Sequence, residues 1–310
     1  MSHTRSPAES TPTRPPRGRF APSPTGPLHL GSLVAAVGSY LHARHAGGEW
    51  LVRMEDLDPP REQPGAQDAI LRSLERHGLH WDGPVLRQST RAAAYQAALD
   101  ALVGAGLAYP CGCSRKHLQE RAPLGRYGRI YPGFCRPERV AAPAGQRAWR
   151  VRTNDVPVIF EDLRCGTRRQ RLESEIGDFI VRRADGLFAY QLAVVVDDAA
   201  QGITEVVRGE DLLSNTPRQI HLQRCLGLPT PRYLHLPLVT NAQGQKLSKQ
   251  THAPPLDDRR ASDNLWQALA FLGHTPPAGL REAPPAELLR WGVENWSPNQ
   301  LPACQCSDLA

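Results

Sequence analysis

Hydrophobic positions along the chain change their spacing several times. Leu33, Val34, Ala35, Ala36, Val37, Tyr40 and Leu41 make an apolar, helix-compatible run. It is entered through Arg19–Leu28, where Pro22, Pro24 and Pro27 forbid a helix and push the residue before each toward the β region. That stretch reads as strand, loop and helix start, with a tight turn at Thr25-Gly26. Glu49–Glu55 reads as a buried strand ending in the charged loop Asp56–Arg61. Gln67–His77 puts Ile70, Leu71 and Leu74 on one helix face, and Arg91–Leu107 does the same with Tyr95, Leu99, Leu102 and Val103. Strand-like alternation returns over Arg150–Phe160 and again over Phe179–Arg183, followed by a hairpin turn at Asp185-Gly186. Phe188–Asp198 is apolar enough to be central, but its spacing does not separate helix from strand. Ile203–Asp211 reads as a strand ending in charge, and Asn215-Thr216-Pro217 as a helix start leading into Ile220–Leu226. After a linker over 251–260, Ser262-Asp263-Asn264 is expected to cap a helix through Phe271. Glu287–Val293 is a second short helix. The pattern is that of an α/β chain.

Composition changes this picture little. The chain has 310 residues, 40% hydrophobic and 22% charged, enough for a large core and one or two domains. Its formal net charge of +6 suits a polyanion partner without requiring one. No apolar run approaches the length that crosses a bilayer; Leu192–Val196 is far too short. Seven cysteines at irregular spacing do not form a disulfide scaffold, and a reduced, cytoplasmic setting is expected. Residues 1–18 are rich in Ser, Thr, Pro and Arg, hold one acid, Glu9, and read as a disordered tail.

Several positions carry candidate chemistry. A strand, loop and helix start gathers free backbone N–H groups and the positive end of the helix dipole, a seat for phosphate. Gly31 leaves room for a nucleotide against the backbone, and His29 can donate to a phosphate oxygen; the plainer alternative is a histidine that caps the helix. Lys246-Leu247-Ser248-Lys249-Gln250 follows a turn-forming Asn241–Gly244, and its two lysines can close over a triphosphate. Taken alone, it is an ordinary basic loop. Glu55, at a strand end, can hold an ammonium group, or pair with Arg53 or Arg61. Arg208 and Arg19 suit carboxylates as bidentate partners. For Tyr190, core packing is nearly as good a reading as ligand contact. Cys111, Cys113 and Cys135 lie in a Gly/Pro/Arg-rich stretch poor in core-forming residues, where a metal would supply order. Three thiolates suit tetrahedral Zn²⁺. The fourth ligand stays open among His117, Tyr127 and Tyr131, and free thiols in a surface loop are the alternative. Cys304 and Cys306 read as uncoordinated.

Together, His29-Leu30-Gly31-Ser32 and Lys246–Gln250 resemble the paired signatures of class I aminoacyl-tRNA synthetases. Arg19-Phe20-Ala21-Pro22-Ser23-Pro24-Thr25-Gly26 resembles the glutamyl branch, over roughly residues 18–260. The resemblance implies a Rossmann-like catalytic domain with a zinc-bearing insertion and a short helical C-terminal segment. It implies a catalytic set of His29, Lys246 and Lys249, and an ATP-binding set of His29, Gly31, Ser32 and Lys249, with Mg²⁺ on the ATP. It implies glutamate contacts from Arg19, Phe20, Ala21, Pro22, Ser23, Glu55, Tyr190 and Arg208. One structural zinc per chain would sit on Cys111, Cys113, Tyr131 and Cys135. The implied organisation is a tail (1–18), the first half of the catalytic domain (19–110), the insertion (111–149), the second half (150–250) and a helical remnant (251–310). About sixty residues follow the lysine motif, too few for an anticodon-binding portion. In this the chain resembles the glutamyl-Q tRNA(Asp) synthetases, which attach glutamate to queuosine in tRNA(Asp). The expected partners are therefore ATP, L-glutamate and queuosine-modified tRNA(Asp), with no membrane and no obligatory protein partner. The alternatives are charging of a tRNA 3′ end and a non-catalytic glutamate or ATP sensor.

Overall fold

Strand β1 (Arg17–Phe20) runs through the proline-rich loop into helix α1 (Leu30–His45), which leads to β2 (Glu49–Met54). The computed structural model describes residues 15–140, 145, 147–240 and 254–304. β1 pairs in parallel with β2, Arg17 opposite Glu49, so α1 is a crossover helix. It packs closely on the strands. Leu33, Val34, Val37 and Leu41 are buried, and a Cβ at Gly38 would meet Leu236 Cδ1 at 2.5 Å. Each such aliphatic side chain contributes about 2 kcal/mol on burial. β1 takes in Arg17 and Gly18, which the composition of residues 1–18 assigns to the tail. Arg17 Nη1 donates to Gln201 O at 2.7 Å, and its guanidinium also meets Glu49, so the strand begins where side-chain partners begin.

Helix α2 (Ala66–Arg76) leads to the short β3 (Leu86–Arg87), parallel to β2, and then to α3 (Ala92–Gly104). The chain leaves this layer through β4 (Ala108–Cys111), α4 (Arg115–Arg121) and a small hairpin, β5 (Leu124–Gly125) with β6 (Gly128–Arg129). It returns as β7 (Ala148–Val151), antiparallel to β4. The alternation expected over Arg150–Phe160 breaks into two strands, because β8 (Val158–Asp162) starts only after a loop in which Asn154 Oδ1 accepts from Val156 N. β8 forms a hairpin with β9 (Gly166–Gln170); α5 (Leu172–Glu175) and β10 (Phe179–Arg182) follow, and β10 pairs with β7.

The apolar run whose spacing was ambiguous is a helix, α6 (Tyr190–Ala200). The turn before it makes a single bridge, Arg182 to Phe188. Parallel strand β11 (Glu205–Gly209), helix α7 (Thr216–Leu226) and β12 (Arg232–Leu236) complete the second half. Thr204 N donates to Arg17 O at 2.9 Å, which brings β11 to the open edge of β1. β12 continues to β8, giving the order β11, β12, β8, β9. Helix α8 (Ala261–Phe271) begins one residue before the expected Ser262 cap, because Asp257 caps a preceding short turn by accepting from Arg259 N. α8 and α9 (Pro285–Asn295) bury Leu265, Leu269, Leu288 and Leu289 in the same core as α1.

Candidate active site

The carboxyl ends of β1, β2, β11 and β12 open on one cavity of about 850 Å³. Open α/β sheets receive ligands on this rim. Arg19 and Phe20 line it from β1, and Ala21, Pro22 and Ser23 from the loop that follows. His29, Gly31 and Ser32 line it from the start of α1, Glu55 from the end of β2, Tyr190 from α6 and Arg208 from β11. Each residue of the expected glutamate and ATP sets that falls in the described part of the chain is therefore in this wall. Lys246, Lys249 and Gln250 lie outside the described residues.

The proline-rich loop is held by its backbone. Pro22 O accepts from Glu55 N and Pro24 O from Gln63 N, both at 3.0 Å, and Gly26 turns the chain at φ +138°. That angle favours glycine. His29 is the N-cap of α1, and its Nδ1 accepts from Ser32 N at 3.3 Å. The neutral ring then carries its proton on Nε2. His29 is thus both a cap and a cavity residue, so the two sequence readings are not exclusive. No acidic residue sits in the first turn of α1 to offset its positive end.

The charges on the floor form a network of which the sequence disclosed the Arg53–Glu55 pair and not the rest. Arg19 Nε and Nη2 both donate to the buried carboxylate of Asp198, at 3.0 and 3.3 Å. Arg53, fully buried, pairs with the same carboxylate at 2.8 Å, donates to Gln201 Oε1 at 2.8 Å and lies 3.6 Å from Glu55. Burial would raise the Asp198 pKa, but Arg19 and Arg53 overcome it and hold the group below the usual carboxylate range. Glu55 goes the other way, because its own desolvation outweighs Arg53 and Arg19 and its pKa is raised. Arg19, the second candidate for a ligand carboxylate, already meets an acid in Asp198. Arg208 sends its donors to neutral groups: His235 Nε2 (3.1 Å), Gln219 Oε1 (2.8 Å), Thr216 Oγ1 (2.8 Å), Tyr190 Oη (3.5 Å) and Leu212 O (3.4 Å). A sequence signal for Arg53 did exist. An arginine inside an apolar strand needs a buried partner. Nothing in the sequence named Asp198 as that partner.

The cysteines of the insertion converge. Cys113 Sγ lies 3.5 Å from Cys135 Sγ, and the Tyr131 hydroxyl lies 3.3 Å from Cys111 Sγ and 3.8 Å from Cys113 Sγ. Zn–S bonds of about 2.3 Å put sulfurs about 3.8 Å apart at the corners of a tetrahedron, so three thiols and one phenol at these spacings suit one metal ion. Of the three candidates for the fourth ligand, the Tyr131 hydroxyl is the one shown against two of the sulfurs, while the His117 ring packs on Phe134. Arg150 Nε donates to Cys111 Sγ at 3.3 Å, and its guanidinium stacks on Tyr131. Burial raises the Cys111 pKa, but the Tyr131 hydroxyl and Arg150 bring it down overall. Cys304, expected to stand alone, has Cys165 and Glu210 within 4.8 Å. The Glu210 carboxylate accepts from Arg164 at 2.6 Å, so a cation already occupies it. Cys306 lies outside the described residues. Among the described residues, no helix is long and apolar enough to cross a membrane.

The family described as tRNA synthetases class I (E and Q), catalytic domain, matches residues 17–132 and 138–272. A protein of Thiobacillus denitrificans named glutamyl-Q tRNA(Asp) synthetase is 62% identical over 92% of this chain and 94% of its own length. A Pseudomonas aeruginosa protein of the same name is 54% identical over 93% and 95%. Among solved structures, a glutamate tRNA ligase of Elizabethkingia meningosepticum in complex with its amino acid superposes with a TM-score of 0.75 at 23% identity. It covers 94% of this chain and 66% of its own, a likeness of fold. The chain belongs to the class I (E and Q) tRNA synthetases, in the group whose members are named glutamyl-Q tRNA(Asp) synthetase.

Proposed function

We propose that this ligase activates L-glutamate with ATP·Mg²⁺ in the absence of tRNA, then transfers the glutamyl group to the queuosine base at the first anticodon position of tRNA(Asp). One observation supports this above others: a single cavity is lined by the His29-Gly31-Ser32 turn and by Arg208, Tyr190 and Glu55. The group name carried by relatives that align along nearly their whole length supplies the acceptor.

The α-carboxylate of glutamate attacks the α-phosphorus of ATP; pyrophosphate leaves and glutamyl-adenylate forms. The nucleophile is already ionised, so alignment and positive charge carry the rate rather than a general base. His29 Nε2–H and the first turn of α1 face the phosphates, and Lys246 and Lys249 steady the departing pyrophosphate. Glu55 takes the ammonium. Arg208 takes a carboxylate, which replaces the two long contacts on its terminal nitrogens, Tyr190 Oη and Leu212 O. A hydroxyl of the cyclopentene ring of queuosine then attacks the acyl carbon, and AMP leaves. Cys111, Cys113, Tyr131 and Cys135 would hold one zinc, which supplies order to the insertion and no chemistry. The organisation into two catalytic halves, an insertion at 111–149 and a helical remnant fits this reading, as does a cytoplasmic setting with reduced thiols.

The test is glutamate-dependent ATP–pyrophosphate exchange without tRNA, followed by transfer of labelled glutamate to tRNA(Asp) with and without queuosine and to tRNA(Glu). Exchange in the first step and label on queuosine-bearing tRNA(Asp) alone are expected. Label on tRNA(Glu) would make the chain a 3′-end synthetase, and no exchange at all would make it a sensor.

A further inference from the structure

Arg208, His235 and Asp162 come from three neighbouring strands. Arg208 on β11 is in register with His235 on β12, and β12 pairs with β8 through Tyr233 and Asp162. All three side chains are buried. His235 Nδ1 lies 2.6 Å from Asp162 Oδ2, and Arg208 Nε donates to His235 Nε2 at 3.1 Å. Asp162 is itself held, since its other oxygen accepts from Cys165 N at 2.8 Å and Arg164 N at 3.1 Å in the β8–β9 turn.

We propose that Asp162 and His235 are positioning residues that aim Arg208 into the cavity while leaving its charge for the ligand. The inference rests on the reading of Arg208 as a carboxylate partner. The logic is one of tautomers. The guanidinium Nε–H is a permanent donor, so His235 Nε2 must be an acceptor and the imidazole proton must sit on Nδ1, directed at Asp162. A neutral ring stands between the acid and the arginine. It transmits alignment, whereas direct contact would pair the charges, as Asp198 does with Arg19. Gln219 and Thr216 hold the two terminal nitrogens from the same side of the network, both at 2.8 Å. Burial keeps the imidazole neutral, with its pKa pushed down to about 4. The hydrogen bonds of Arg208 to the described residues all go to neutral groups; a guanidinium buried in this way is costly by itself, and a ligand carboxylate offsets that cost.

The experiment measures ATP–pyrophosphate exchange, with KM for glutamate and for ATP determined separately. Wild-type exchange is established first, so its absence would defeat the functional reading rather than this one. In Asp162→Asn the new amide can donate to Nδ1, which moves the imidazole proton to Nε2 and turns it against Arg208. His235→Phe keeps a planar aromatic ring, somewhat larger than imidazole, and removes both hydrogen bonds. Both variants are expected to raise KM for glutamate about 10- to 100-fold, the range seen when a group that orients a ligand is lost, with KM for ATP within about twofold. His235→Gln retains one donor and one acceptor and should recover most of the loss. An unchanged KM for glutamate, a parallel rise in both KM values, or no difference between Gln and Phe would overturn the proposal. Should the variants not fold, ¹⁵N-histidine spectra of the wild-type protein still read the tautomers of its buried histidines. A neutral, Nδ1-protonated ring that shifts on glutamate binding is expected, and its absence overturns the assignment.

Discussion

At the scale of the residue, Asp198 decides how the floor of the cavity is charged. It stands at the end of α6 and holds Arg19 and Arg53 at once, both from β-strands far away in the chain. Removing one partner from a buried ion network leaves uncompensated charge, which costs more than the network contributes by existing. Asp198→Asn is therefore expected to destabilise the fold by about 3–5 kcal/mol, measured as a shift in urea midpoint at constant slope. A change within experimental error would mean that the two guanidiniums find other acceptors. Residues of this kind were legible in part. Arg19, Glu55 and Arg208 were singled out by position, at strand ends on a ligand rim, and they do line the cavity. Asp198, Asp162 and His235 were passed over, because a carboxylate or imidazole inside an apolar segment signals only that a partner exists.

At the scale of the element, the insertion between β4 and β7 is the part with least core of its own. Among the described residues, the buried cluster there comprises Tyr109, Cys111 and Tyr131, with Cys113, Leu118, Phe134 and Cys135 packed against it. A metal held there would contribute folding energy to this segment. The purified protein should contain one zinc per chain by mass spectrometry. Cys113→Ser should lose it and raise amide exchange in α4 and the β5–β6 hairpin, while β1 and β2 keep their protection. Loss of zinc without any local change would leave the insertion ordered by its polar contacts, such as the bidentate grip of Arg136 on Asp178. The same contrast explains what was readable here. Cysteine spacing announced a ligand set, but Tyr131 became distinct from His117 and Tyr127 only once the chain had turned.

At the scale of the whole molecule, buried histidines set the acid limit of stability. Burial lowers the pKa of His235 to about 4 and also lowers those of His221 and His274. Their unfolded value is about 6.5. Between about pH 6.5 and 4 the unfolded chain therefore binds more protons, so stability rises with pH and is lost as pH falls through that window. His235 alone contributes about 3 kcal/mol across it. Below it, the depressed carboxyls of Asp162, Asp178 and Asp198 add to the loss; the raised Glu55 works in the opposite direction, but above its unfolded value of about 4.3 and therefore inside the histidine window. The thermal midpoint should fall steadily from pH 7 to pH 5, and His235→Gln should flatten that slope; equal slopes would mean that His235 takes up its proton in place. The turn from β1 into α1, the helices α2 and α3 and the cysteine set were determined by the sequence by itself, since each depends on local constraints: proline and glycine dihedrals, apolar spacing and ligand type. Only the tertiary structure decided that Tyr190–Ala200 is a helix, that Arg19 is already paired, and that Arg208 is held through a neutral imidazole. Those outcomes depend on which distant groups share a buried space, and burial makes every unpaired charge costly enough that the partner dictates the role.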